Sequence, residues 1–261
     1  LIGIFSKVML HWFQFFDGGN MYDQETLKRR CRKDGVLLEK DITGRHYLLN
    51  SPVSYNRQEV LQGIERLGAH TPRLYQFSIG FQDPDFLFLF AEEIMEKLGE
   101  ADLLNIDKDE KRIGVILVAA IGGILIGSAL QNRFYGRKPK LLYAEKIGGV
   151  LRLARGFKLP KDEGCLILDD VYSTGRSFDE LGAICEHDPD AGPVLARVAL
   201  VNRNAYGHPL REHTVTQQHI FLIYDPIVSS DPNECFDCKE RVPLEKDGVI
   251  VDNYGNPING G

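Results

Sequence analysis

The sequence predicts an α/β protein with a central, mostly parallel sheet flanked by helices and a smaller cap made by roughly its first hundred residues. Nearly continuous apolar runs recur at 113–120, 140–144, 165–168, 194–201 and 220–224. Runs without polar alternation belong to strands buried on both faces, as parallel strands are. Two of the intervals between them, 125–134 and 177–186, place apolar residues at helical spacing. Strands that alternate with helices imply right-handed crossovers and a sheet covered on both sides.

The elements follow in chain order. Residues 1–16 are apolar but are interrupted by Lys7 and His11. That segment is too short to span a bilayer as a helix, and it lacks the basic start and small-residue cleavage site of a secretory signal. Residues 1–20 are expected to be an extension outside the folded core, which is expected to begin near Met21. Residues 24–33 are good helix formers that stop at Asp34-Gly35. Two short apolar stretches around Asp41-Ile42-Thr43-Gly44 predict a strand–turn–strand over 36–50. Helical spacing returns at 57–67 and 84–98, where Phe86, Leu87, Phe90, Ile94 and Leu98 can share one face. The expected division is a helical hood over 21–105, the core over 106–245 and a loose tail rich in Gly, Asn and Asp over 246–261.

With 43% hydrophobic and 26% charged residues, the chain has the make-up of a globular protein rather than a disordered one. A net charge of −6 argues against nucleic acid as a partner, because polyanion binders carry a basic excess or face. No membrane partner is expected. An acidic chain still binds phosphate through backbone N–H groups and a few local cations. The five cysteines, at 31, 165, 185, 235 and 238, do not form a disulfide framework, and a reducing cytoplasm is the expected setting. Cys235-Phe-Asp-Cys238 is the only C-x-x-C, and no second pair accompanies it at zinc spacing.

One junction carries the chemistry. The string Gly164-Cys-Leu-Ile-Leu-Asp169-Asp170-Val-Tyr-Ser173-Thr174-Gly175-Arg176-Ser177 runs from an apolar strand through two carboxylates into a hydroxyl-rich turn and a helix start. Ser173, Thr174, Gly175 and Ser177 can offer hydroxyls and successive backbone N–H groups to a phosphate at a helix N-terminus. Asp169 and Asp170 can accept hydrogen bonds from two ribose hydroxyls and favour positive charge developing on the sugar ring. Upstream, Ala120-Ile121-Gly122-Gly123 forms a strand-to-helix turn whose backbone N–H groups can face a second anion.

This string resembles the phosphoribosyl pyrophosphate motif of type I phosphoribosyltransferases, with one departure: Arg176 stands where the family usually has Gly or Ala. The resemblance implies that residues 173–177 hold the 5′-phosphate and that Ala120, Ile121, Gly122 and Gly123 cradle pyrophosphate. The segment Glu145-Lys146-Ile-Gly148-Gly149 followed by Arg152-Leu-Ala-Arg155-Gly-Phe resembles the basic strand end and mobile loop of one branch of orotate phosphoribosyltransferases. That makes Lys146, Arg152 and Arg155 candidates for pyrophosphate contacts. The lysine and histidine loop pattern of the better-known branch is absent. His46–Ser51 resembles the family's cap segment, with Asn50 and Ser51 as candidate substrate contacts and Pro52 where Gly is usual. Residues 235–244 resemble the tail of the same branch. The resemblance further implies orotate as acceptor, Mg²⁺ as cofactor and a homodimer. Transfer to another base, and a regulatory protein that binds phosphoribosyl pyrophosphate without turnover, remain open alternatives.

Overall fold

The computed structural model describes residues 22–39, 46–48, 70–71, 73–104, 112–153, 155–204, 218–227, 244–246 and 249–251. In chain order the elements are α1 (Gln24–Lys33), β1 (Leu37–Glu39), β2 (His46–Leu48), β3 (His70–Thr71), β4 (Arg73–Tyr75), α2 (Phe77–Gly80) and α3 (Pro84–Glu100). Then follow β5 (Ile113–Ala119), α4 (Gly122–Arg133), β6 (Lys140–Ile147), β7 (Val150–Leu153), β8 (Gly164–Tyr172), α5 (Arg176–His187), β9 (Val194–Asn204), β10 (Gln218–Ile227), β11 (Leu244–Lys246) and β12 (Val249–Val251).

Helix α1 forms where the sequence predicts it. The Asp23 carboxylate accepts from the Thr26 N–H at 2.6 Å, which caps the first turn. Arg30, Arg32 and Lys33 in the last turn suit the negative end of the helix dipole, and Gly35 at φ +70° reverses the chain. Helix α3 starts at Asp83, whose side chain accepts from the Asp85 N–H, with Pro84 in the first turn. Its buried face holds Phe86, Phe90, Ile94 and Leu98, while Leu87 is only half-buried. Phe77 of α2 packs edge-on against Phe90 at 5.5 Å, and Phe86 lies 4.8 Å from Phe90.

The expected strand–turn–strand over 36–50 is corrected. β1 and β2 both exist, but they pair with other partners. β1 runs antiparallel to β4, fastened where Gln76 N–H donates to Val36 O. β2 instead joins β3, β11 and β12 in a four-stranded sheet of order β12-β11-β2-β3. Strands this short gain too little from a local hairpin to outweigh better non-local partners. That sheet also draws on the region assigned to a loose tail, because Val249–Val251 forms β12 against β11. The expected helix at 57–67 lies outside the described residues.

The central sheet has six strands in the order β10-β9-β8-β5-β6-β7. All neighbours are parallel except β6 and β7, which form an antiparallel hairpin. All five apolar runs become strands, and alternate residues face opposite cores. On one face Ile116, Val118, Leu166, Leu168, Val198 and Leu200 pack with α3 and with Ile126 and Leu130 of α4. On the other, Val115, Leu117, Cys165, Ile167 and Ala199 lie against Phe178, Leu181 and Cys185 of α5. Each fully buried Ile, Leu or Phe contributes about 1.5–3 kcal/mol by leaving water. Cys165 and Cys185 are free thiols with sulfurs 3.5 Å apart. Among the described residues no helix is long and apolar enough to cross a membrane.

The N-terminal elements are fastened to the sheet edge through Asp225 of β10, which is 3% exposed. Tyr75 Oη donates to its Oδ2 at 2.9 Å, and Lys28 Nζ and Arg73 Nη1 lie 3.2 and 3.0 Å from Oδ1. Asp225→Ala leaves those cations without their buried partner and should cost about 3–5 kcal/mol, read from urea unfolding. Tyr75→Phe, which removes one hydrogen bond, should cost about 1 kcal/mol in the same assay.

Candidate functional site

In an open parallel sheet the ligand crevice lies beyond the carboxyl ends of two adjacent strands whose following connections leave in opposite directions. Here those strands are β5 and β8. The chain leaves β5 through α4 to β6 on one side, and leaves β8 through α5 to β9 on the other. Val118 pairs with Leu168, so the turn after β5 and the acidic end of β8 emerge side by side.

β8 continues past the apolar run and carries Asp169 and Asp170 on its last turn of pleat. Asp169 is buried and Asp170 half-buried. Asp169 Oδ1 accepts from Asp170 N–H at 3.0 Å, and Asp170 Oδ1 accepts from Val171 N–H at 2.9 Å. Burial and the neighbouring Asp170 carboxylate push Asp169 up to about 8, against hydrogen bonds from the Asp170 backbone and Ser177. Burial likewise raises Asp170. Gly122 lies directly opposite, where a β-carbon would fall 2.8 Å from Asp170 Oδ2. A side chain there would push into the carboxylate, so the glycine permits the close approach. The Ala120–Ile121 peptide of this turn is cis.

After Tyr172 the chain makes a short turn through Ser173, Thr174 and Gly175 into α5. Gly175 has φ +80° and occupies the N-cap without a capping side chain. The Arg176 N–H donates to Thr174 Oγ1 at 3.4 Å, and the N–H groups that follow in the first turn have no partner within the helix. Tyr172 supports this turn from below. Its ring packs on Phe178 at 5.3 Å and Phe221 at 5.2 Å, and its hydroxyl would lie 2.9 Å from any β-carbon at Gly175. Both the backbone conformation and the space therefore require glycine.

The cationic candidates lie on the neighbouring hairpin. Gly148 (φ +61°) and Gly149 (φ +82°) make its two-residue turn, the geometry that suits the twist of paired strands. Lys146 and Arg152 are exposed beside this turn. Arg155 turns back to Glu145, with Nε 2.8 Å from Oε1. The segment that the resemblance implies to be a mobile loop is thus a β-hairpin that adds β7 to the sheet edge.

Arg176, expected among the phosphate contacts, points to the hairpin. Its Nη2 donates to Gly149 O at 2.9 Å and its Nε to Glu180 Oε1 at 2.5 Å. Sequence reading missed Glu180 and Tyr172. The Arg176–Glu180 spacing of four is legible as a helix-face pair, but its hairpin partner is not. Asn50, Ser51 and the Cys235–Cys238 pair lie outside the described residues. Asp169, Asp170, residues 173–177 and the turn at 120–123 are thus brought to one crevice, with the hairpin cations at its flank. Among the described residues no cluster of three or more His, Cys, Asp or Glu gathers to hold a metal.

The mostly parallel sheet, with a turn at the N-terminus of α5, paired carboxylates at the adjoining strand end and a glycine turn opposite them, has the fold of the type I phosphoribosyltransferase class. No family model matches the chain. It is 30% identical over 185 residues to the orotate phosphoribosyltransferase of Caldicellulosiruptor bescii, spanning 69% of this chain and 85% of the relative. It is 28% identical over 181 residues to that of Chlorobaculum parvum, spanning 69% and 83%. In fold it is similar to the orotate phosphoribosyltransferase of Aeropyrum pernix, with a TM-score of 0.50, 16% identity, and 76% of this chain and 93% of that one covered. The chain belongs to the orotate phosphoribosyltransferase family.

The buried carboxylate makes stability depend on pH. Unfolded, Asp169 ionises near 3.8; folded, burial and the Asp170 carboxylate beside it hold its proton to higher pH. Above 3.8 the folded state therefore binds more protons than the unfolded one until Asp169 ionises, so stability falls as pH rises through that range. Asp169→Asn escapes this loss. Its gain in unfolding free energy over the wild type should be small near about pH 4 and grow as pH rises towards neutral. Gly175→Ala should lower stability by about 1–2 kcal/mol, the cost of forcing a side chain into left-handed backbone.

Proposed function

We propose that the chain transfers the 5-phosphoribosyl group of phosphoribosyl pyrophosphate to orotate, giving orotidine 5′-monophosphate and pyrophosphate in pyrimidine biosynthesis. The observation that carries this reading is the meeting of Asp169–Asp170 with the turn at 120–123 across the β5–β8 crevice, in a chain of this family. The bond from the anomeric carbon to pyrophosphate breaks, and a bond forms from that carbon to N1 of orotate. The ring passes through an oxocarbenium-like state. Orotate N1 is acidic, so its proton leaves without a strong base.

Ser173, Thr174, Gly175 and Ser177 anchor the 5′-phosphate and so fix the sugar in the crevice. Asp169 and Asp170 take the ribose hydroxyls and favour positive charge on the ring. The turn at Ala120, Ile121, Gly122 and Gly123 faces the departing pyrophosphate, and Lys146, Arg152 and Arg155 approach it from the side of the hairpin. Asn50 and Ser51 contact substrate from the cap.

Mg²⁺ would enter with the substrate and be held mostly by substrate oxygens and water, because it keeps much of its hydration. When bound, it would supply neutralising charge to the pyrophosphate. A homodimer in the cytoplasm completes the reading.

Orotate consumption followed by absorbance, with Mg²⁺ and phosphoribosyl pyrophosphate, tests the assignment. Asp169→Asn/Asp170→Asn should lower kcat/KM by about a hundredfold or more. Wild-type turnover that the double variant retains would remove the carboxylates from the mechanism. Binding of phosphoribosyl pyrophosphate without orotate consumption would redirect the search to other bases and then to a regulatory role.

A further inference from the structure

We infer that Arg176 and Glu180 form a latch that positions the β6–β7 hairpin over the pyrophosphate end of the site, coupling it to the 5′-phosphate turn. The inference rests on the reading of residues 173–177 as the phosphate site. Arg176 begins α5 within that segment, directly after Gly175, and Glu180 lies one helical turn further on the same face. Three hydrogen bonds run from this pair to the hairpin or within it. Arg176 Nη2 donates to Gly149 O at 2.9 Å, Arg176 Nε to Glu180 Oε1 at 2.5 Å, and Leu151 N–H to Glu180 Oε2 at 2.9 Å. Gly149 is the second residue of the hairpin turn and Leu151 lies two residues further on, in β7, so the pair grips the backbone on both sides of Val150.

The geometry separates this role from direct phosphate binding. The Arg176 guanidinium is committed to Glu180 and a hairpin carbonyl. Glu180 is far less exposed than Arg176, at 15% against 55% of its side chain. Burial pushes the Glu180 carboxyl up, but hydrogen bonds from Arg176 and the Leu151 N–H, with the nearby charges of Arg176 and Lys146, hold it below its ordinary value. The carboxylate is therefore a fixed anion between two cations. Lys146 and Arg152 belong to the same hairpin, and their placement beside the crevice depends on where the hairpin sits. An anion at the turn orders the first residues of α5, and the latch carries that order to the hairpin. Arg176 and Glu180 are positioning residues; neither needs to touch substrate.

The test is calorimetric binding of two ligands to the full chain: phosphoribosyl pyrophosphate with Mg²⁺, and ribose 5-phosphate, which lacks the pyrophosphate. Arg176→Ala should weaken phosphoribosyl pyrophosphate about tenfold, the effect of losing charge-assisted hydrogen bonds. It should change ribose 5-phosphate affinity by less than about twofold. Glu180→Gln gives the decisive sign. Removing an anion beside a polyanionic ligand strengthens binding if only charge matters, whereas loss of the latch weakens phosphoribosyl pyrophosphate. The double variant should be no worse than Arg176→Ala, since both break one unit. Arg176→Lys keeps the charge but not the two-pronged grip, and should not restore affinity.

Equal weakening of both ligands by Arg176→Ala would make Arg176 a phosphate ligand and overturn the latch. Unchanged or tighter phosphoribosyl pyrophosphate binding in Glu180→Gln would overturn it too. A folded wild type that binds neither ligand would overturn the phosphate-site reading itself, and the latch with it.

Discussion

The site depends on the side-by-side pairing of β5 and β8. That register brings Gly122 to within a β-carbon's reach of Asp170 and leaves the two following turns facing one crevice. The same pairing buries Asp169 where its charge is costly, so the strand end is less stable than an apolar end would be. Strained electrostatics of this kind concentrate at functional sites. The apolar pairs beneath it, Ile116 with Leu166 and Leu117 with Ile167, supply the rigidity that holds two like-charged groups together.

The central sheet was legible because a strand buried on both faces leaves an uninterrupted apolar run, and 113–120 or 194–201 have no competing reading of that length. Helix α1 was legible in its run of good helix formers stopped at Asp34-Gly35, and α3 in its repeating apolar face, whereas the Asp23 and Asp83 caps emerged from the structure. The partners of β1 and β2 were not legible, because short strands do not encode which distant segment they meet. The turn into α5 was readable from Ser173, Thr174 and Gly175. The direction taken by Arg176 was not, because it is decided by a carbonyl on another strand. Tyr172 read as a spacer, and only the packed rings of Phe178 and Phe221 make it a support.

An acidic chain that handles a polyanion needs its cations placed rather than numerous. Around this crevice several of them are already matched. Arg155 sits on Glu145, Arg176 sits on Glu180, and Lys146 lies close enough to Glu180 to influence its ionisation. Exposed ion pairs add little to stability. Their value here is geometric, since they hold flexible side chains near the crevice at little desolvation cost. Backbone N–H groups at the start of α5 and in the 120–123 turn carry no such carboxylate partner and are aimed by the fold itself.

The four-stranded sheet draws strands from both ends of the chain, and Leu244 of β11 lies parallel to His46 of β2. Such a pairing must await β11, which follows every strand of the central sheet in the chain. During synthesis β2 and β3 emerge long before β11 exists, whereas β5 through β9 find partners within the next few elements. Closing so long a loop costs entropy that only a pre-formed scaffold offsets. The central sheet is therefore the natural first-formed body, and the small sheet is the clasp that joins β2 and β3 to β11 and β12.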